Sequence, residues 1–513
     1  MTDRRTFIKQ LSAAGIMGSM PGLLQAESGY GKMKNTSLVL FFTILFFLAG
    51  CTERQSGTFE AAPFKKGIGI VEITPPEGYY HYRGTSTGVK DPLFAKAIVF
   101  TQGETKAALL ICDILSIPRD LSRTVREKAS EQTGIPFENI SITATHTHTG
   151  PSIREPLRSY FEIRASGDSG QNDPDDYIET LIDRMTEAIV AAHGNTRETE
   201  FYAGISEVDG ISFNRRFLMT DGRVRFNPGI GNPRIVNPVG PNDPDFHYVL
   251  FRPEDQADFS TSLSVFANHL DTYGGTEYSA DYPYYLQKYL RKHFGEDFIS
   301  IFGTGTCGDI NHVDVNSPPE ATRRQFITDK IGKELAEAIK TDHPRLSKGI
   351  PNLNVSSSTI FLPLQDITEE DLEWARDRRT SPRYSERPFL TERRRRKIID
   401  IEHRRQSKAI PPSAPGEPWR LPVEIHAYRL DDQTAIVTMP GEVFAELGLE
   451  LKSRSPFANT MIIELANLDI AYIPTKRAFS EGGYEAINSR LAPGSGENMI
   501  EEALKMLNQL TNN

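Results

Sequence analysis

ISITATHTHTGP, residues 140–151, reads as a short apolar strand that ends in a loop carrying two histidines. Apolar runs at 68–73, 95–100 and 107–112 have the length and composition of strands and are separated by Gly- and Pro-containing turns. Residues 75–92 form a long loop between the first two. Residues 121–133 have an amphipathic helical pattern, and 175–192 repeat it with Ile178, Leu181, Ile182, Met185 and Ile189 on one face. Further strands are expected at 262–267, 298–303, 423–428, 434–438 and 461–465, and helices at 284–294, 443–454 and 498–510. Strands and helices alternate, so the fold class is α/β.

The composition of the 513-residue chain, 38% hydrophobic and 25% charged, is that of a globular protein with a substantial core. A net charge of -10 argues against a nucleic-acid partner, because phosphate neutralisation needs a clustered excess of Lys and Arg. Residues 1–50 read as an export-signal region with two signals in series. Arg4-Arg5 opens a twin-arginine-like leader, and a second begins at Met33, the expected true start, and ends in the lipobox-like Leu48-Ala49-Gly50-Cys51. Acylation of Cys51 would anchor the chain to a bacterial membrane, with 51–65 as a polar tether and the outer membrane as the expected location. Cys112 and Cys307 are too few for a disulfide framework and read as small buried residues. Residues 66–513 form the expected catalytic domain, interrupted at about 366–406 by an Arg-rich helical insertion with a break at Pro382 and Pro388. A charge run of this kind is usually a solvated helix face. Its functional reading is a rim that attracts an anionic substrate.

In an extended segment His146 and His148 point to the same side. Two neutral imidazoles so placed can share a metal, or one can bind metal while the other moves protons. The competing reading is a pair of loop histidines that cap backbone groups. His269, Glu442 and Tyr472 sit at the ends of other expected strands, where α/β folds gather ligands. Two histidines and a glutamate around one open position are a common catalytic-zinc arrangement.

The order GIGIVEITP (67–75), THTHTGP (145–151), Asn214-Arg215, FANH (266–269), FGTGTCGDIN (302–311), Pro440-Gly441-Glu442 and Tyr472-Ile473-Pro474-Thr475 resembles the neutral (non-lysosomal) ceramidase family from about residue 66 onward. The resemblance implies a mixed-sheet α/β catalytic domain with zinc held by His146, His269, Glu442 and Tyr472. It further implies that His148, Arg215 and Tyr484 line the reacting end, with Arg215, Asn311 and His312 binding substrate. Two departures are expected. Asn311 stands where the family has its catalytic serine, and the chain carries no C-terminal β-sandwich.

Asn cannot act as a nucleophile, and this shapes the functional expectation. The main reading is elimination of water from an anionic, uronic-acid-containing oligosaccharide, with zinc and Arg215 clamping the carboxylate while His148 or Tyr484 moves protons. The alternative is a zinc-dependent amidohydrolase of ceramide or a related N-acyl substrate. A non-catalytic binding lipoprotein is the third.

Overall fold

Odd and even residues of the central strands face different layers. Along Thr105–Cys112, Ala107, Leu109 and Ile111 enter one apolar cluster while Ala108, Leu110 and Cys112 enter another. Strand side chains alternate, so a run that is apolar at every position must be covered on both faces. The computed structural model describes residues 62–82, 84–154, 176–318, 324–377, 388–406 and 419–512. The export region, Cys51 and the tether up to residue 61 lie outside the described residues. Within 61–513, one compact unit, Thr105–Cys112 belongs to an eight-stranded sheet. Its order is Ile299–Thr304, Thr261–Phe266, Asp245–Pro253, Arg197–Glu207, Phe64–Glu72, Phe94–Gln102, Thr105–Cys112, Ile140–Ala144.

A four-stranded sheet of Asn354–Pro363, Arg420–Arg429, Thr434–Thr438 and Asn459–Ile463 packs on one face of the larger sheet. Tyr428, Ile436 and Met461 from it share a cluster with Leu109, Ile111 and Val265. Its other face sets Val423, Ile425 and Val437 against Leu447, Leu451, Ala503 and Leu507 of helices Ala445–Arg454 and Ser495–Thr511. Helices Arg119–Thr133 and Asp176–Gly194 cover half of the larger sheet's outer face. Tyr282–Phe294 and Arg324–Asp342 cover the rest. The layers therefore run helix, sheet, sheet, helix, and the class is the α/β, mixed-sheet one expected. Gly67 and Gly69 make the first contact possible: a Cβ there would lie 1.9 and 2.0 Å from the carbonyl oxygens of Ala192 and Ala188.

The middle of the larger sheet is antiparallel and both edges are parallel. Thr105–Cys112 pairs with Ile140–Ala144 across the helix Arg119–Thr133, and Thr261–Phe266 pairs with Ile299–Thr304 across Tyr282–Phe294. In the smaller sheet Thr434–Thr438 pairs in parallel with Asn459–Ile463 across Ala445–Arg454. The loops leaving the carboxyl ends of these parallel strands carry His146, His269 and Glu442.

Most expected elements appear within a few residues of their expected bounds. The helix expected from residue 443 starts at Ala445, because Glu442-Val443 pairs as a short parallel strand with Tyr472-Ile473. The strand expected to reach residue 465 stops at Ile463, and Leu465 takes a left-handed backbone with φ 61°. The expected loop at 75–92 contains a small hairpin, Tyr80–His81 with Gly84–Thr85. Helix Arg324–Asp342 and edge strand Asn354–Pro363 were not expected; the serine-rich strand lacks a clear apolar pattern. The Arg-rich region forms helices Glu369–Arg376 and Pro388–Gln406, with Pro388 in the first position, where its missing N–H costs nothing. Pro382 lies outside the described residues. Among those residues no helix is long and apolar enough to cross a membrane. Cys112 and Cys307 are free and buried, as expected.

Candidate active site

The chain leaves the strand at Ala144 and turns at His146, whose φ of 69° is left-handed and costly for a residue with a side chain. The extended geometry assumed for 145–148 is therefore corrected. A turn, and not period-two alternation, brings the two histidines together, with His146 Nε2 and His148 Nε2 3.3 Å apart. The backbone holds this turn through His146 N to Ile114 O at 3.1 Å and His148 N to Leu270 O at 3.0 Å.

Each buried histidine has one nitrogen fixed by a carbonyl. His146 Nδ1 lies 2.7 Å from Leu115 O, and His269 Nδ1 lies 3.0 Å from Cys307 O. An imidazole that donates from Nδ1 presents a lone pair at Nε2, the tautomer a metal needs. Both Nε2 atoms face Glu442 Oε2, at 3.5 and 3.3 Å. This oxygen is buried and accepts no hydrogen bond of good geometry. Glu442 is delivered by the tight approach of the 302–311 loop, since a Cβ on Gly308 would lie 2.4 Å from Glu442 O.

Two donors each about 2.0–2.1 Å from a tetrahedral ion lie about 3.3–3.4 Å apart. The separations within the set His146, His269 and Glu442, 3.5 and 3.3 Å from the carboxylate oxygen to the two imidazoles, match the edges of such a tetrahedron. His146, His148 and His269 also satisfy the spacing of a metal-binding cluster. Together with the orphaned carboxylate oxygen, these residues fit a metal.

Burial depresses His146, but the Glu442 carboxylate outweighs it and the net shift is upward. His269 is pushed down to about 4 by burial and the nearby Arg215 charge. Burial opposes ionisation of Glu442, yet His146 and His269 hold it well below the usual carboxylate range. Behind it, burial and the Glu442 charge push buried Glu464 well up; its Oε2 accepts Val443 N at 2.7 Å.

Tyr472 is set beside Glu442 by strand pairing, and its hydroxyl lies 3.4 Å from that of Tyr484. Burial and then the Glu442 charge raise both phenols. Arg215 is buried with all three nitrogens engaged: Nε donates to Glu485 Oε1 at 2.8 Å, Nη2 to Gly308 O at 2.8 Å, and Nη1 lies 3.1 Å from His269 Nε2. The expectation that Arg215 clamps a substrate carboxylate is corrected accordingly, because its guanidinium is already paired with Glu485. Asn311 donates to Asn227 Oδ1 at 2.8 Å and accepts from Val313 N at 3.0 Å. His312 lines a separate cavity of about 230 Å³ with Gly210, Phe213, Asp314 and Lys330. These two are thus anchored in or beside the short Ile310-Asn311 strand and are not among the converging atoms.

The wall around this centre was missed in the sequence. Tyr82 packs edge-on against His148 with centroids 5.1 Å apart. Phe226 and Phe389 stack near Tyr484 at 4.7 and 5.3 Å. Glu485, fully buried, also bridges to Arg216 Nε at 3.4 Å. A tyrosine in a loop of unassigned structure and a phenylalanine on an inserted helix carry no local signal of a site.

Residues 64–219 match the family model for the neutral/alkaline non-lysosomal ceramidases, N-terminal. The resemblance carried by the motifs is thus borne out. The fold agrees over a longer span: the neutral ceramidase of Pseudomonas aeruginosa aligns with a TM-score of 0.62 at 16% identity, covering 88% of this chain and 75% of that one. A structure described as ceramidase complexed with C2 aligns with a TM-score of 0.61 at 15% identity, covering 88% and 76%. No curated protein sequence matches. These comparisons back the hydrolase alternative better than the lyase reading preferred from the sequence. Nothing in these comparisons supports elimination or an oligosaccharide substrate.

Proposed function

We propose that this chain is a metal-dependent amidohydrolase acting on N-acyl compounds of the ceramide kind. The observation that carries the reading is the convergence of His146 Nε2, His269 Nε2 and Glu442 Oε2 on one point, with His148 3.3 Å from His146. A set of nitrogen and carboxylate donors suits zinc, and such a site can take substrate or water as a further ligand. When bound, the metal supplies Lewis acidity, polarising the acyl carbonyl and making water nucleophilic at neutral pH.

The protein's own groups do the rest. The Leu115 and Cys307 carbonyls fix the two ligand rings, and Arg215 holds Glu485 and the Gly308 carbonyl in place beside them. Tyr472, the fourth ligand implied by the family resemblance, stands beside Glu442. His148 and the Tyr484 hydroxyl flank the open position, where either can pass a proton to the departing amine. Asn311, with its amide held by Asn227 and Val313, orders the neighbouring loop and provides no nucleophile. An export leader and lipidation at Cys51, both read from sequence, would place the enzyme in the cell envelope.

The test is the mass of the products. Incubation of the metal-loaded enzyme with an N-acyl sphingosine should give a free fatty acid and an amine, a net gain of water. A product that has lost water, from a uronate oligosaccharide or any other substrate, would replace hydrolysis with elimination.

A further inference from the structure

Residues 364–419 lie between two paired strands, since Pro363 opposes Arg420 in the four-stranded sheet. The helix Pro388–Gln406 within this insertion is fastened to the body through buried Asp400, which pairs with Arg154, with Arg404 at 3.1 Å and with Arg490 at 2.9 Å. Ile398 and Ile401 add apolar anchors. The helix is therefore a fixed part of the wall.

Its four consecutive arginines differ in what they meet. Arg394 pairs with Asp371 at 3.1 Å and lies over the Trp374 ring. Arg395 and Arg396 share Glu392 at 3.0 and 2.6 Å. These three form the solvated, internally paired face that such a run usually makes. Arg393 has no carboxylate within ion-pair distance among the described residues. Its Nη2 donates to the Tyr82 hydroxyl at 3.3 Å, and its guanidinium lies 5.0 Å from the Phe389 ring centroid. Tyr82 touches His148, and Phe389 stacks on Tyr484. Arg393 is thus one residue removed from the reacting centre on both sides. Tyr82 and Phe389, at 42% and 46% exposure, leave this side of the wall open to solvent.

Among the described residues this half-buried guanidinium meets only a phenol and ring faces, which leave it donors to spare and no carboxylate partner. An oxyanion takes those donors by two parallel N–H bonds. We propose that Arg393 is a specificity residue that receives an oxyanion of the substrate. On the hydrolase reading above, the preferred substrates are then N-acyl compounds with a carboxylate, sulfonate or phosphate on the amine part. The anion selectivity that the sequence suggested for the whole arginine run rests on this one residue.

The test compares N-dodecanoylglycine and N-dodecanoyltaurine with neutral N-dodecanoylethanolamine, by turnover and by calorimetric binding to the metal-loaded enzyme. The wild type should favour a charged compound over the neutral one by roughly tenfold or more, and carboxylate against sulfonate identifies the anion preferred. Arg393→Lys should keep part of the ratio, and Arg393→Glu should bring it to one or below with the unfolding temperature nearly unchanged. Binding needs no turnover, so the two readings separate. If hydrolysis fails, the charged compound is still bound preferentially and Arg393→Glu still removes the preference. A wild-type binding ratio near one, a ratio unchanged in Arg393→Glu, or no binding of either charged compound overturns the assignment.

Discussion

His146 Nε2 and His148 Nε2 lie 3.3 Å apart although the backbone between them is not a strand. The left-handed His146 is the conformational cost of the approach. The first expectation follows directly. His146→Ala and His269→Ala should each lose most of the bound metal on purification, because removing one of the few ligands leaves an incomplete site. Elemental analysis checks this, and full metal occupancy in either variant would remove the centre described above.

His148 is assigned proton transfer and not metal binding. His148→Gln should retain metal near the wild-type level while kcat falls by about 10²–10⁴-fold, the usual contribution of a positioned acid or base. Loss of metal in this variant would make His148 a ligand.

Arg215 and Glu485 form a buried pair at 2.8 Å, exposed by 6% and 0% at the side chain. Breaking such a pair leaves a charge with no compensation, at a cost of about 3–5 kcal/mol. Arg215→Ala should therefore lower the unfolding temperature along with activity. Denaturant titration separates this from a purely substrate-binding role, in which stability would stay near the wild-type value.

The sequence made the architecture readable because the parallel strands are buried on both faces and so appear as unbroken apolar runs, as at 107–112. Helices with one apolar stripe, such as Asp176–Gly194, were equally clear. His146, His269 and Glu442 could be picked out because each follows such a strand. What could not be read was geometry that depends on the far chain. Arg215 finds Glu485, 270 residues away, and nothing local distinguishes a paired arginine from a free one. In the same way Arg393 is one of four identical neighbours, and only packing against Tyr82 and Phe389 separates it from the rest.

Acid should destabilise the fold through His247. Its ring is buried, Nδ1 lies 2.7 Å from Asn459 Oδ1, and burial followed by the Lys452 charge lowers its pKa from 6.5 to about 3. Above about pH 6.5 both folded and unfolded states hold it neutral. As pH falls from 6.5 toward 3 the unfolded chain takes up a proton that the native state refuses, so stability decreases over that window. His247→Gln should make the dependence shallower there by up to one proton, as read from unfolding free energy against pH. An unchanged slope would show that His247 is protonated in the native state.

Hydrolysis of an N-acyl bond is assigned to a metal held at His146, His269 and Glu442. The most direct measurement follows fatty acid release from an N-acyl sphingosine by the purified protein, first stripped of metal by a chelator and then reloaded with zinc. Release should be absent from the stripped protein, return on reloading, and fail to return in Glu442→Gln. Release that persists without metal, or a reloaded wild-type enzyme that forms no fatty acid, would contradict the account.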